Sequence, residues 1–367
     1  MTNPAELSSE NNLNLRRGWT TGACAAAAAR AAYEGLMTRH IPAEVSIRLP
    51  NGQLPSFLVA EGEVASHEVM AGVIKDAGDD PDVTHGAMIR VRLSLGRSGA
   101  GIVFRAGEGV GVVTRPGLPI PVGEPAINPA PRQLIAVNIL NAADQFDGPR
   151  DLIISIEIPR GRVLATKTMN GRLGIEGGLS ILGTTGVVVP FSCAAWVHAI
   201  HSGIDVARAA GLNHIGAATG STSEGALKIL YDFPEIALID MGDFAGAVFK
   251  YLRRHPVARL SLAGGVGKFA KLARGALDLH SGRSRVDFQW LSQIAQTHGA
   301  TREIVTAIAQ SASVGEAMSH AEQEDICLAD VIAVGARDIA RTVLGNEMIV
   351  DVVIINRAGQ IIGRSDA

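Results

Sequence analysis

Hydrophobic positions follow a period of two through the first part of the chain. Short runs rich in β-branched residues alternate there with polar positions, which predicts half-buried β-strands. The expected strands cover residues 43–49, 54–60, 88–95, 101–105 and 152–158. Asn51-Gly52 separates the first two and is a strong hairpin signal, so we expect those two strands to pair.

Two helices are predicted among these strands. The first covers residues 23–34, where alanine gives high helix propensity. Thr20 or Thr21 can serve as its N-cap, and Gly35 follows its last turn. The positive end of this helix suits either an ordinary N-cap or a bound anion, and the sequence leaves both open. The second helix covers residues 133–142.

From Val187 onward the pattern changes to a repeat of short apolar strand, glycine turn and helix. Strands are predicted at residues 187–189, 214–218, 236–240 and 258–263. Repeated βα units imply a parallel sheet with helices on both faces, and such sheets bind ligands at the carboxyl ends of their strands. The glycine turns at residues 216–220, 242 and 264–267 are therefore expected on that edge.

The two patterns indicate two domains in an α/β fold. A chain of 367 residues exceeds the roughly 250–300 residues at which one hydrophobic core stops growing. We expect a mixed α/β domain over residues 1–160 and a domain with a largely parallel sheet over residues 161–367. The second domain is expected to end in a helical extension, residues 288–344, and a last strand, residues 348–356.

Composition and charge exclude several classes of protein. With 47% hydrophobic and 19% charged residues the chain can build packed cores, which excludes global disorder. A net charge of −3 argues against nucleic-acid binding as the main task. Cys24, Cys193 and Cys327 lie far apart with no C-x-x-C spacing, so neither a structural metal nor a disulfide framework is expected.

The chain is expected to be cytoplasmic and to use no membrane. The apolar stretch after Arg16-Arg17 is rich in alanine and interrupted by polar residues, which is unlike an export signal. No window reaches the roughly 20 uninterrupted apolar residues that a membrane-spanning helix needs.

The densest glycine segment, residues 167–192, is a candidate ligand-binding surface. Glycine lets the backbone approach a ligand, and exposed N–H groups with threonine hydroxyls suit an anion or a polar cofactor. At the junction with the following strand stand Gly183, Thr184, Thr185 and Gly186. A structural crossover between domains explains the same composition, and that alternative stays open.

Strand ends of the second domain offer further polar groups. One expected strand is followed by Thr219, Gly220, Ser221 and Thr222, and the next ends in Asp240, Gly242 and Asp243. An acidic residue in such a position can accept hydrogen bonds from a ribose. Gly267-Lys268 ends like a phosphate loop, but Phe269 stands where Ser or Thr is needed, so an ATP-dependent enzyme has little support.

Aspartates are crowded into KDAGDDPDVT, residues 75–84. Crowded carboxylates raise one another's pKa and can act as acid, base or metal ligand. The spacing does not match a calcium-binding EF-hand loop, and aspartates that only form turns are the alternative.

Five segments in order along the chain carry a resemblance to a known family. They are GWTTGACAAAAARAA at 18–32, KDAGDDPDVT at 75–84, GEGVGVVTRPGLPIPVGEPAINPAPR at 107–132, NGRLGIEGGLSILGTTGVVVPFS at 170–192 and AGGVGKFAKLARGALDLHSGRSRVD at 263–287. Together they resemble the CbiD family, the C1-methyltransferases of cobalt-precorrin-5B. Departures are Asn170-Gly171-Arg172 where Asn-Pro-Arg is expected and Ala23 where threonine is common.

The resemblance implies a reaction and a fold. The reaction is methyl transfer from S-adenosylmethionine to C1 of cobalt-precorrin-5B, or its cobalt-free counterpart, giving (cobalt-)precorrin-6A in cobalamin biosynthesis. The implied fold is an S5 domain 2-like α/β unit followed by a Rossmann-like three-layer unit, and we expect the donor in the second unit. A non-catalytic carrier of corrinoid intermediates is the alternative, and neighbouring enzymes of the pathway are possible partners.

The implied chemistry assigns roles to the candidate residues. Proton acceptors for the macrocycle would be Asp79, Asp80 and Asp243. Cations for the carboxylate arms of an anionic tetrapyrrole would be Arg16, Arg17, Lys75, Arg172 and Lys268. The donor is expected at the glycine edge, on Gly183, Thr184, Thr185, Gly186, Thr219, Gly220, Ser221, Thr222, Asp240 and Gly242. No protein-bound metal is expected.

Overall fold

The computed structural model describes residues 15–345 and 347–365 of an α/β protein made of two compact units, divided between Cys193 and Ala194. The sequence placed this boundary at residue 160. The difference arises because two short strands of the glycine-rich segment, Ile175–Glu176 and Val187–Val188, pair with strands of the first unit. Strand pairing therefore keeps residues 161–193 with the first unit.

The first unit contains three helices and eleven strands in the described residues. The helices are α1 (Thr21–Thr38), α2 (Pro129–Phe146) and α3 (Gly161–Ala165). The strands are β1 (Gly18–Trp19), β2 (Glu44–Ser46), β3 (Ser56–Leu58), β4 (Glu61–Val64), β5 (Val69–Ile74), β6 (Met88–Leu95), β7 (Ile102–Ala106), β8 (Val112–Val113), β9 (Leu152–Glu157), β10 (Ile175–Glu176) and β11 (Val187–Val188).

Its main sheet has the order β4-β5-β6-β9-β7, and only the β9–β7 pair is parallel. The period of two in the sequence becomes one buried face. In β6, Ile89, Val91 and Leu93 are fully buried, while Arg90 and Arg92 between them pair with carboxylates. The predicted hairpin is present as β2–β3, with Gly52 at φ +85°, although its strands are shorter than expected.

Helix α1 is longer than predicted and is buried on nearly all sides, where it packs against β5, β6 and α2. Alanine makes this burial possible because its small side chain lets other elements approach closely. Gly35 lies inside the helix and not at its end. A Cβ at this position would lie 2.3 Å from Cδ1 of Ile41. The helix ends instead at Arg39, which has φ +61°. Gly35 is therefore needed for packing and not for capping.

The second unit is built on a single five-stranded sheet. Its strands are β12 (His214–Ala218), β13 (Leu238–Asp240), β14 (Arg259–Gly265), β15 (Ile349–Ile355) and β16 (Ile361–Arg364). Its helices are α4 (Ala194–Ala209), α5 (Ser221–Tyr231), a 3-10 turn (Glu235–Ala237), α6 (Ala245–Leu252), α7 (Val266–Ala273), α8 (Phe288–Thr297), α9 (Arg302–Gln310), α10 (Val314–Glu322) and α11 (Leu328–Leu344). The order is β13-β12-β14-β15-β16, with all pairs parallel except the last.

Helices cover both faces of this sheet, as predicted from the βα repeat. Ala217 belongs to the core beneath α4, α6, α7 and α11, whereas its neighbour Ala218 belongs to the core beneath α5. The prediction that residues 187–189 form the first strand of this sheet is wrong, because Val187 and Val188 pair antiparallel with β1. Pro190 follows two residues after Val188 and has no N–H with which to extend the pairing.

Among the described residues, no helix combines the length and the apolar character that crossing a bilayer requires.

Candidate functional site

The carboxyl ends of β12, β14 and β15 open on a cavity of about 1020 Å³. Strand β12 is the first of the parallel set, and the chain next adds β13 on one side of it and β14 on the other. The connection after β12 therefore leaves toward β13, and the connection after β14 leaves in the opposite direction, toward β15. Such a divergence creates a crevice between β12 and β14, which is where α/β sheets usually bind their ligands. The cavity lies at this point of the sheet.

Four segments of the second unit, together with Ile362 of β16, line the cavity. Its walls are formed by Thr219, Gly220, Ser221, Thr222, Ser223, Gly265, Val266, Gly267, Ser313, Val314, Gly315, Met318, Ser319, Glu322, Ile355, Asn356, Arg357, Ala358 and Ile362. Six residues with hydroxyl groups line the cavity beside a similar number of apolar side chains, and one carboxylate and one guanidinium are the charged members. The wall therefore suits a ligand with several polar groups.

Two helices that begin at the cavity have no side-chain cap. The N-caps of α5 and α7 are Gly220 and Gly265, and neither has a side chain that could accept a hydrogen bond from the first turn. Ser221 and Glu224 have the spacing of a capping box, but Ser221 is the first residue of the helix and not its N-cap. First-turn N–H groups without a cap are suited to bind the negative end of a ligand.

Glycine keeps the cavity open. A Cβ added at Gly220 or Gly265 would meet no atom within 4 Å, so a side chain at either position would project into free space. Glycine is required at position 264 for a different reason. A Cβ there would lie 2.4 Å from the ring of Phe269 and 2.6 Å from Oγ1 of Thr219. The predicted glycine turns thus serve both the cavity and the packing beneath it.

Asp240 and Gly242, predicted to bind the donor, lie at the end of β13 and are not among the cavity residues. The carbonyl of Asp240 accepts a hydrogen bond from the indole of Trp196 at 3.1 Å. Gly242, at φ +52°, lies against the same ring, where a Cβ would be 3.1 Å from Cζ2. Trp196 therefore packs over this strand end.

Asp243 and Lys268 come together beside the cavity. Oδ1 of Asp243 is buried and lies 3.1 Å from Nζ of Lys268. The two groups form an ion pair, but their relative orientation does not give a hydrogen bond. Nζ of Lys268 also donates to the carbonyl of Thr219 at 3.3 Å. The structure thus joins a predicted proton acceptor, a predicted substrate cation and a predicted donor-binding residue.

In the first unit, three of the motif segments meet at the start of α1. The amide of Trp19 donates to the carbonyl of Asp76 at 2.7 Å, and the amide of Thr20 donates to that of Gly186 at 2.9 Å. The amide of Gly22 donates to the carbonyl of Leu182 at 3.2 Å. These contacts bind residues 16–22, 75–85 and 182–191 into one cluster, which we call the motif cluster.

The helix start in the motif cluster is an ordinary N-cap. Oγ1 of Thr20 accepts a hydrogen bond from the amide of Ala23 at 3.2 Å, and the carbonyl of Leu182 accepts one from the amide of Gly22. A Cβ on Gly183 would lie 2.4 Å from the Cβ of Thr20. The predicted donor-binding run thus belongs to the first unit; it consists of Gly183, Thr184, Thr185 and Gly186. The carbonyl of its last residue accepts a hydrogen bond at the start of α1. Of the two alternatives for this helix start, the structure forms the cap and not an anion site.

The crowded aspartates are separated by individual partners. The guanidinium of Arg16 binds both oxygens of Asp76 and holds the pKa of that carboxyl below its usual range. Asp79 accepts from the amide of Arg16 at 2.6 Å, and Asp80 accepts from the amide of Phe191 at 2.8 Å. The expectation that crowding raises their pKa values is therefore wrong for Asp76.

Lys75 is 1% exposed, with its ammonium bonded to Asp82 and to Oγ1 of Thr84. Burial pushes the pKa of Asp82 upward, but the charge of Lys75 and its hydrogen bond outweigh this, so the pKa is lowered. Lys75 holds the acidic loop together and does not offer its charge to a substrate. Of the other predicted cations in this unit, Arg17 is exposed and Arg172 is half-buried.

Several cavity residues were not singled out from the sequence. Ser313 and Glu322, at the two ends of α10, and Arg357, after β15, line the cavity. The sequence could have identified Ser313, because Ser313 and Glu316 have the spacing of a capping box. In the structure Ser313 caps α10, and its hydroxyl accepts a hydrogen bond from the amide of Glu316 at 3.2 Å. Glu322 and Arg357 carry no local pattern, and only the folding of the second unit brings them to the cavity.

Comparison with known proteins gives the same family along both units. The CbiD family model matches residues 8–190, and the model described as CbiD, C-terminal domain, matches residues 278–366. A protein of Bradyrhizobium sp. is 54% identical over 96% of this chain and 94% of its own length. A protein of Paramagnetospirillum magneticum is 53% identical over 95% of this chain and 98% of its own length.

Both relatives are named cobalt-precorrin-5B C(1)-methyltransferase, as is one of Brucella anthropi that is 50% identical over 97% of each chain. A crystal structure of the cobalamin biosynthesis protein cbiD from Archaeoglobus fulgidus is 27% identical, covers 68% of this chain and 76% of its own, and has a TM-score of 0.39. With two matching family models and relatives at half identity over nearly its whole length, the chain belongs to the CbiD family.

Proposed function

We propose that this protein methylates C1 of cobalt-precorrin-5B, or of its cobalt-free counterpart, and so forms (cobalt-)precorrin-6A in cobalamin biosynthesis. The observation that carries the proposal is the match to relatives of that name, at 54% identity over 96% of this chain. The glycine-lined cavity at the sheet's carboxyl edge supports it, because a methyltransferase needs a site for a methyl donor.

We further propose that S-adenosylmethionine is the donor and that the cavity of the second unit holds it. Its volume of about 1020 Å³ is ample for a nucleoside with an amino-acid tail. Uncapped amides at the start of α5 and α7 would receive the carboxylate, and the hydroxyls of Ser221 and Thr222 would bind polar groups. Glu322 is placed to accept hydrogen bonds from a ribose.

Catalysis would consist mainly of alignment. When bound, the sulfonium supplies an electrophilic methyl group, so the protein needs no covalent nucleophile. Among the candidate proton acceptors we favour Asp243, because its buried Oδ1 lies beside Lys268, which reaches the cavity residue Thr219. Asp79 and Asp80 each use one oxygen to hold a backbone amide, which supports a structural role for them.

For the fold, we propose that the first unit is S5 domain 2-like and the second Rossmann-like. The mixed sheet with α1 packed against it, and α2 packed against α1, supports the first assignment. The four parallel strands with helices on both faces support the second.

The proposed reaction is tested by incubating the purified protein with cobalt-precorrin-5B and S-adenosylmethionine that carries a deuterated methyl group. We expect the product to gain one labelled methyl group by mass spectrometry and the label to lie on C1 by NMR. A carrier of corrinoid intermediates would bind the macrocycle and leave its mass unchanged. That result would remove the methyltransferase proposal in favour of the carrier.

A further inference from the structure

A bulky residue occupies a strained backbone position in the motif cluster. Residues 189–192 form a β-turn closed by a hydrogen bond from the amide of Ser192 to the carbonyl of Val189 at 3.2 Å. Pro190 is the second residue of the turn, and Phe191 is the third, with φ +56°. Turns with a positive φ at the third residue favour glycine or asparagine, because a Cβ is crowded there. Phenylalanine is an unusual choice for this position.

The surrounding structure holds Phe191 in this conformation. Pro190 is buried and fixes the backbone that enters the position. Oδ1 of Asp80, from the acidic loop, accepts from the amide of Phe191 at 2.8 Å. Such strain persists only where neighbouring contacts determine it, and it is concentrated at functional sites.

Burial does not explain the phenylalanine. Its side chain is 65% exposed, so the fold gains little hydrophobic stabilisation from the ring. A glycine would fit the backbone better and would leave the Asp80 hydrogen bond in place, since that bond uses the main chain. The ring is therefore presented to solvent at a cost to the fold.

A cation and a second apolar side chain lie beside this turn. Strand β1 pairs antiparallel with β11, with Gly18 opposite Val188. Continuing that register places Arg17 across from Val189. Val189 is 49% exposed, and Arg17 is exposed as well. The turn thus presents an exposed apolar surface, and Arg17 is the cationic residue on the neighbouring strand.

We propose that the ring of Phe191 is a platform on which the tetrapyrrole substrate packs, with Arg17 pairing with one of its carboxylate arms. This inference rests on the proposed function, which supplies a macrocycle bearing acetate and propionate groups. A conjugated macrocycle offers a broad apolar face to an aromatic ring, and its carboxylates match a guanidinium. A rigid turn favours such contacts, because little conformational freedom is lost when the substrate binds.

The test measures the KM for cobalt-precorrin-5B and, separately, the Kd for S-adenosylhomocysteine by calorimetry. Phe191→Ala is expected to raise KM about tenfold and to leave the Kd of the nucleoside unchanged. Phe191→Trp keeps an aromatic platform and is expected to keep KM near the wild-type value. Arg17→Gln is expected to raise KM and to weaken its dependence on salt. Val163→Ala is the control, because Val163 is 57% exposed in the same unit and lies outside the motif cluster.

Phe191→Gly separates a binding role from a structural role. Glycine relieves the positive φ, so we expect the melting temperature to rise while KM rises as it does for alanine. A purely structural phenylalanine would give the reverse, a lower melting temperature with an unchanged KM. Wild-type KM values in both variants would overturn the inference and leave the methyltransferase proposal standing. An inactive wild-type enzyme would overturn the proposed function and this inference with it.

Discussion

At the residue scale, the motif cluster shows how charged side chains can serve the fold where the sequence suggests chemistry. Lys75 is the clearest case, since its ammonium is buried against Asp82 and Thr84. A buried charge that loses its partner is costly, whereas an exposed ion pair contributes little. The environment, and not the residue type, decides the role of each charge.

Replacing Lys75 with methionine is therefore expected to lower the free energy of unfolding by about 2–4 kcal/mol, because Asp82 loses its partner while the volume is kept. Urea denaturation followed by circular dichroism measures the change. Arg150→Met is the matched control, since Arg150 pairs with Asp144 at the surface and should cost less than about 1 kcal/mol. Equal effects of both substitutions would contradict the structural role of Lys75.

A second residue-scale prediction concerns pH and His214. Burial, and then the charge of Arg259, hold the pKa of this imidazole below its ordinary value. Its Nε2 lies 2.7 Å from Oγ of Ser261, which donates in turn to Asp351 at 2.9 Å. The folded state thus favours neutral histidine.

Because the unfolded state binds a proton near its ordinary pKa of about 6.5, stability contributed by His214 is present above that pH. This stability is lost as the pH falls toward the lower pKa that His214 has in the folded state. The melting temperature should therefore fall between pH 7.5 and pH 5.5, and His214→Gln should reduce that fall. The exposed His67, changed to Gln, is the control that should leave the pH dependence as in the wild type. An unaltered pH dependence in His214→Gln would refute the prediction.

At the element scale, glycine has different functions in helices that look alike in the sequence. Inside α1, Gly35 makes room for Ile41, whereas Gly265 at the start of α7 leaves space in the cavity. Sequence patterns identify both as glycine near a helix boundary. Only the neighbours show that one is required for packing and the other for an open wall.

A leucine at position 265 is expected to block donor binding. The backbone there has φ −71° and ψ 149°, which leucine tolerates, and its side chain would enter the cavity. Calorimetry with S-adenosylhomocysteine should show affinity lowered about tenfold or more. The control is Gly225→Leu, because Gly225 lies in α5 with open space around it and does not line the cavity. Unchanged affinity in Gly265→Leu would move the donor site elsewhere.

At the scale of the whole molecule, each unit has its own sheet and its own hydrophobic core. All residues that line the cavity lie between Thr219 and Ile362, within the second unit. The donor-binding function proposed for that cavity therefore needs no residue of the first unit.

A fragment of residues 194–367 is expected to fold and to bind S-adenosylhomocysteine within about tenfold of the affinity of the full chain. Circular dichroism reports its folding and calorimetry its binding. The same fragment carrying Gly265→Leu is the control for binding in the cavity. A folded fragment that does not bind would show that the first unit contributes to the donor site.

Much of this architecture follows from the sequence. A period of two marks β6, β7 and β9 of the first sheet, whereas β4 and β5 were not predicted. The βα repeat requires parallel strands whose carboxyl ends share one edge. Thr219, Gly220, Ser221 and Thr222 could therefore be placed at a candidate site from the sequence, and the structure finds them lining the cavity. Local periodicity is enough for these features because each depends on residues close together along the chain.

The tertiary structure decided the features that depend on distant pairing. It joined Val187 and Val188 to β1, and it buried Lys75. It also tied Asp80 to the strained turn at Phe191, 111 residues away in sequence. No local pattern encodes which carboxylate meets which amide, because that choice is made by the packing of whole elements. The sequence by itself determined the family and the elements that have a clear local period; the folded chain alone determined which side chains remain available to a ligand.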